Sequence, residues 1–275
     1  MIIGFIGTGN MGGAILEGFA SSKAPEGCKL LAYNLNTEHS DWAVERTGGR
    51  CEIAGSNREV CNRADVLIMG VKPQVIDAVL NEIKDVFAEN KDRILVSMAA
   101  GISIDHICSI IGQDAKVVRI MPNTPALVGE AMTAVTRNSH VDDEEFYRVK
   151  EIFDSIGEAE EIDEKLIDCV IGVSGSSPAY TYMYIEALVN AAVANGMDAE
   201  KARIFAAQAV LGAAKMVLES KESIEQLRIN VCSPGGTTIE AVNKLFENGF
   251  MDKTMEGFQA AVDKSIAMTK AKEEA

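Results

Sequence analysis

Residues 2–15 read IIGFIGTGNMGGAI, and this stretch decides the fold. A run of apolar residues ends in Gly7, Gly9 and Gly12, in G-x-G-x-x-G register, and a helical pattern follows. Each glycine answers a physical demand: a tight turn, close approach of main chain to a pyrophosphate, and close packing of the next helix on the sheet. The hexapeptide alone is a weak signal, because glycines are common in turns. Its place between the first strand and the first helix of a βαβ series makes it a dinucleotide-binding fingerprint, with Thr8, Asn10 and Met11 filling the loop.

Working outward, apolar runs at 2–7, 29–34, 64–72, 93–99 and 116–123 alternate with helical patterns at 39–48, 74–87 and 104–111. That alternation predicts a parallel sheet covered on both faces. AMTAVTRN (131–138) adds one more strand, DDEEFYRVKEIFDSIG (142–157) reads as an acidic amphipathic helix, and a short strand is expected near 159–162. The acidic stretch from 142 to 164 reads as a solvated face.

From Asp163 the texture changes. Strand signals give way to helical patterns at 179–196, 198–220 and 257–272, with Gly196 as a terminator and Asp198 as a cap. The expected organisation is an α/β N-terminal Rossmann-type parallel-sheet domain, 1–162, and an all-α C-terminal domain, 163–275. The later helices carry Ala, Val and Met on more than one face, more than a small bundle can hide, so burial between subunits is expected. The tyrosines and methionine of AYTYMYIEA (179–187) fit core or subunit contact.

Composition narrows the function. A length of 275 residues suits two domains, and 47% hydrophobic residues suffice for folding. Mean hydropathy is +0.06 and no run of eighteen apolar residues occurs, so no membrane span is expected. A strand pattern starts at Ile2, which leaves no place for a secretory or transit signal, and the cytoplasm is the expected location. A net charge of -15 argues against nucleic acid. Six cysteines lack CxxC spacing and three histidines stand apart, which disfavours a metal site, a disulfide framework or a histidine-based triad.

Further loops carry candidate ligand contacts. An acid is usual near the end of the second strand to grip an adenosine ribose, but LLAYNLNTEHS (30–40) offers Asn34, Asn36 and Thr37. An amide tolerates a 2′-phosphate where a carboxylate repels it, so NADP, with NADPH preferred over NADH, is the expected cofactor, although no arginine stands beside Asn34. Strand ends at GVKPQ (70–74) and MPNTP (121–125) should frame the nicotinamide, since ligands sit beyond the carboxyl ends of strands in open sheets. In the helical half, NVCSPGGTTIEAV (230–242) takes two glycines into a helix start, a recipe for holding an anion on main-chain N–H groups. The bland alternative is a capped helix start, with Ser233 as cap and Pro234 in the first turn.

In order and spacing, GFIGTGNMGGAI, MGVKPQ, MPNTPA, GVSGSSPAY, GAAKMVLES and VCSPGGTTIEAV resemble the pyrroline-5-carboxylate reductases, over residues 2–265. The SPGGTT element is the most specific. The resemblance implies a Rossmann domain, a helical dimerisation domain with interlocked helices, and reduction of (S)-1-pyrroline-5-carboxylate to L-proline by NAD(P)H. It implies that Ser233, Gly235, Gly236 and Thr237 shape a carboxylate pocket, together with Ser176, and that Thr238 hydrogen-bonds the ring nitrogen. It further implies that Asn57 lies beside the nicotinamide ribose, Val71 and Lys72 in the cofactor loop, and Met121, Pro122 and Asn123 near the nicotinamide. A homodimer is the implied minimum unit, and some members build a decamer. Two positions depart from the pattern: Ser177 stands where many members have glycine, and Ile229 where an acid is frequent.

Two other classes share some of these features. The β-hydroxyacid dehydrogenases need a lysine followed four residues later by asparagine, but here Lys215 is followed by Glu219. A non-catalytic NADP sensor would keep the fingerprint and reduce nothing.

Overall fold

The computed structural model describes residues 1–21 and 27–273. Contacts divide the chain into two compact units: Met1–Ser176 with Ala261–Ala275, and Ser177–Ala260.

The first unit is built on an eight-stranded sheet. Its strands are β1 (Ile2–Ile6), β2 (Lys29–Tyr33), β3 (Cys51–Ile53), β4 (Val66–Met69), β5 (Ile94–Ser97), β6 (Lys116–Met121), β7 (Ala131–Arg137) and β8 (Gly157–Glu161). They lie in the order β3-β2-β1-β4-β5-β6-β7-β8, and all pairs from β3 to β6 are parallel. The order reverses between β1 and β4, which makes the crevice at their carboxyl ends the place for a nucleotide.

Period-two alternation assigns side chains to faces. Ile3, Phe5, Val66, Ile68, Ile94 and Val96 enter one core cluster, and Ile6, Leu67, Met69 and Leu95 enter another. The first face is covered by α1 (Asn10–Ser21) and α6 (Asp143–Asp154), with Ala43 of α2 (Thr37–Arg46). Over the second lie α3 (Asn57–Arg63), α4 (Ile76–Ala88) and α5 (Ile104–Ile111). Phe19 of α1 meets Phe5 and Phe153 at ring distances of 6.1 and 6.0 Å, which ties the glycine-loop helix to both β1 and α6.

Beyond β6 the sheet departs from the parallel expectation. β7 runs antiparallel to β6, and β8 is parallel to β7. Only a single 3₁₀ turn, Thr124–Val128, joins β6 to β7, and a parallel return needs a crossover of a dozen residues or more. The unit also continues past residue 162. A 3₁₀ turn at Glu164–Leu166, the short α7 (Ile167–Val170) and a π-turn at Ile171–Gly175 follow, and Ile167 is buried with Met121 and Ala134.

The second unit contains α8 (Ser177–Ala194), α9 (Ala199–Glu219), α10 (Ile224–Val231), α11 (Thr237–Glu247) and the opening turns of α12 (Phe250–Glu273). Gly196 adopts φ +91 and Asp198 caps α9 through the Lys201 N–H, as the sequence predicts. Its only buried hydrophobic side chains among the described residues are Ala202 and Ala206. Met183, Phe205 and Leu218 are instead 69%, 68% and 85% exposed, so the isolated chain gives this unit no adequate core.

Candidate functional site

The β1–α1 turn takes its shape from its glycines. Gly7 has φ +86, its N–H bonds to Tyr33 O at 2.9 Å, and its carbonyl would lie 2.7 Å from a Cβ at Gly12 and 2.1 Å from one at Gly70. Side chains at either position would push main chain apart. At Gly9 an added Cβ meets nothing within 4 Å, so the loop's apex opens into free space beside the start of α1. Asn10 is exposed there, and Met11 packs against the core cluster.

Thr8 and Asn34 join the ends of β1 and β2. Asn34 Oδ1 accepts from the Thr8 N–H at 2.6 Å and from its hydroxyl at 3.0 Å. The amide nitrogen of Asn34 is buried and has no hydrogen-bond partner among the described residues. Asn36 caps α2, accepting from the Glu38 N–H, so it belongs to the fold. The clear space at Gly9 and the unpaired Asn34 donor are both features that a dinucleotide's phosphates and ribose fill, and the residues present fit that group.

Val71 packs against the core cluster next to Gly7, while Lys72 is exposed and its carbonyl accepts from the Val75 N–H. Asn57 opens α3 and donates to Glu82 of α4 at 2.8 Å. Met121 and Pro122 are buried at the end of β6. Asn123 has both ends of its amide committed within the protein: Nδ2 donates to Ser174 O at 3.1 Å, and Oδ1 accepts from the Met132 N–H at 3.0 Å. It braces the β6–β7 turn against the π-turn that leads to Ser176, so neither end of its amide is left free to bond a ligand. Gly70 escapes notice in the sequence because it lies outside the fingerprint. A glycine directly after a strand at the reversal of strand order is the signal that marks it.

In the helical unit, Gly235 has φ +68 and Gly236 is the N-cap of α11, with no side chain capping the helix. Ser233 therefore does not act as the cap. Its hydroxyl fills the space where a Gly236 Cβ would stand, 2.4 Å away, and its carbonyl accepts from the Gly236 N–H at 3.0 Å. Thr237 and Thr238 form the first turn of α11, where N–H groups lack intrahelical acceptors and the helix dipole favours an anion.

All six cysteines are free, and burial pushes the thiols of Cys51 and Cys61 up to about 12 and about 11. The described residues include no cluster of metal-ligating side chains. Lys215 makes a surface pair with Glu219 at 3.5 Å, a solvated position unlike a catalytic lysine.

Residues 2–101 match the family of NADP oxidoreductases described as coenzyme F420-dependent, and residues 164–268 match the pyrroline-5-carboxylate reductase dimerisation domain. A Rossmann-type half carrying a glycine-lined turn, joined to a helical dimerisation half, defines an NADP-dependent oxidoreductase. Over 98% of both chains it is 45% identical to the pyrroline-5-carboxylate reductase of Escherichia coli. It is 38% identical to that of Arabidopsis thaliana, over 98% of this chain and 96% of the relative. The crystal structure of Plasmodium falciparum pyrroline carboxylate reductase with NADP bound superposes with a TM-score of 0.87 at 33% identity, covering 98% of each chain. The chain belongs to the pyrroline-5-carboxylate reductase family.

Proposed function

We infer that this protein reduces (S)-1-pyrroline-5-carboxylate to L-proline with NADPH, with residues 1–162 serving the cofactor and 163–275 serving dimerisation and the substrate. Bound NADPH supplies the hydride. Gly7, Thr8, Gly9, Asn10, Met11 and Gly12 cradle the pyrophosphate, Asn34 offers its amide N–H to the 2′-phosphate, and Asn57, Val71 and Lys72 line the rest of the nucleotide's path. Met121, Pro122 and Asn123 shape the nicotinamide end.

The substrate is a cyclic imine bearing a carboxylate. Its carbon accepts hydride most readily when the nitrogen is protonated, and the nitrogen keeps that proton in the product, so no strong base is required. What the chain must supply is orientation. N–H groups at the start of α11, with Ser233, Gly235, Gly236, Thr237 and Ser176, hold the carboxylate. Thr238 hydrogen-bonds the ring nitrogen, and a hydroxyl does so without burying a second charge. The observation that carries the substrate assignment is the helix start at Gly236 without a side-chain cap.

The working unit is a homodimer in the cytoplasm, and a decamer of five dimers is the larger assembly we propose to test by sedimentation. Support for association comes from the exposed Met183, Phe205 and Leu218 and from the match to a dimerisation domain.

Steady-state NADPH oxidation on adding pyrroline-5-carboxylate tests the activity; absence of turnover would leave a cofactor-binding sensor. Thr238→Ala should lower kcat by roughly a hundredfold, the scale of losing one donor at a reacting centre, while NADPH binding is unchanged. Equal loss of both would assign Thr238 a structural role.

A further inference from the structure

Three helices of the Rossmann-type unit converge on one carboxylate. His106 Nε2 of α5 lies 2.8 Å from Asp77 Oδ1, and Lys272 Nζ of α12 donates to Asp77 Oδ2 at 2.5 Å. Burial pushes the Asp77 carboxyl up, but the hydrogen bonds from Lys272 and His106 outweigh it and hold the group below its ordinary value. Asp77 sits in the first turn of α4, directly after loop 70–75, which carries Val71 and Lys72. The same stretch of α12 makes two more contacts. Ser265 Oγ bonds Asp168 Oδ1 at 2.5 Å, and a Cβ at Gly101, in the loop after β5, would stand 3.3 Å from Met268.

The last turns of α12 therefore brace the loops that follow β4 and β5, both at the carboxyl end of the sheet. That is the edge where a nucleotide sits. An ion pair with side chains 25% and 35% exposed adds little to global stability, so its consequence is local. We propose that Lys272 is a positioning residue for the cofactor: by holding Asp77 it fixes the entry to α4 and keeps loop 70–75 in the shape that receives NADPH. This rests on the cofactor reading above. It also gives α12, whose opening turns belong to the helical unit, a part in setting cofactor affinity.

The full-length protein provides its own probe. Trp42 is the sole tryptophan, and its ring occupies the space of a Cβ at Gly13, 2.1 Å away on the glycine-loop helix. NADPH titrated without substrate is read by quenching of Trp42 fluorescence, in wild type, Lys272→Ala and Lys272→Arg. Lys272→Ala should raise the Kd, and the KM for NADPH with it, by about fivefold at unchanged kcat, and Lys272→Arg should return both to within about twofold. Unchanged NADPH affinity in Lys272→Ala, even with a lowered melting temperature, would overturn the proposal, as would failure of arginine to restore it. If wild type binds NADPH yet does not reduce pyrroline-5-carboxylate, the functional reading fails while the binding titration still decides this one.

Discussion

Asn34 accepts two hydrogen bonds from Thr8, so its carbonyl end is committed and its unpaired amide nitrogen is the end left free for the 2′-phosphate role proposed above. A carboxylate at this position would keep the bonds from Thr8 and turn a negative oxygen toward the 2′-phosphate. Asn34→Asp should therefore raise the KM for NADPH by roughly tenfold or more and leave that for NADH equal or lower, since like charges in close approach repel by about a kcal/mol or more. An unchanged ratio of the two would remove Asn34 from cofactor selection. At this scale much of the site is legible in the sequence. The constraints at Gly7 and Gly12 are written into residue type, because the turn at the first and the close approach at the second exclude side chains, while Gly9 leaves open space. What Asn123 does is not legible, because its partner Ser174 is distant in the chain and only the folded β6–β7 turn brings the two together.

At the scale of elements, strands and helices with long periodic patterns are readable, and the short ones are not. β3 has three residues and α3 seven, too few to establish a period, and both pass unnoticed between the second and fourth strands. β7 is readable as a strand but not in direction, which depends on the length of the Thr124–Val128 connection. α12 starts at Phe250, ahead of the pattern that begins near 257, because its opening turns carry mixed polarity. The junction of α4, α5 and α12 makes a prediction about pH. Asp77 has its carboxyl below the ordinary value, so its contribution is complete above the unfolded value of about 4 and is lost as pH falls through the folded one. Wild type and Lys272→Ala should differ in melting temperature by no more than about 2–4 °C at pH 7, the scale of a partly exposed ion pair, and converge as the pH falls below the ordinary carboxylate value. A difference that persists into acid would mean that Lys272 acts through another group.

For the whole molecule, the contrast between the units is decisive. The Rossmann-type unit hides two core clusters, and the helical unit buries Ala202 and Ala206 while Met183, Phe205 and Leu218 stay largely in water. Burial of a Leu or Phe side chain contributes about 1.5–3 kcal/mol, so covering these faces with a second copy is strongly favoured. Melting temperature should rise with protein concentration, and dilution below the dimer dissociation constant should unfold the helical unit first; a concentration-independent melt with a monomer in sedimentation would contradict this. The change of texture near Asp163 is legible in the sequence, whereas the return of 261–275 to the first unit is not, because it depends on tertiary contacts such as Lys272 with Asp77. Direct passage of a nicotinamide's hydride to the ring carbon of a small imino acid is the step that every role proposed above serves. It is tested most directly by running the reaction with NADPH doubly deuterated at the nicotinamide C4 and analysing the proline formed. One deuterium at C5 of L-proline is the predicted result; unlabelled proline, or no proline, would contradict the account.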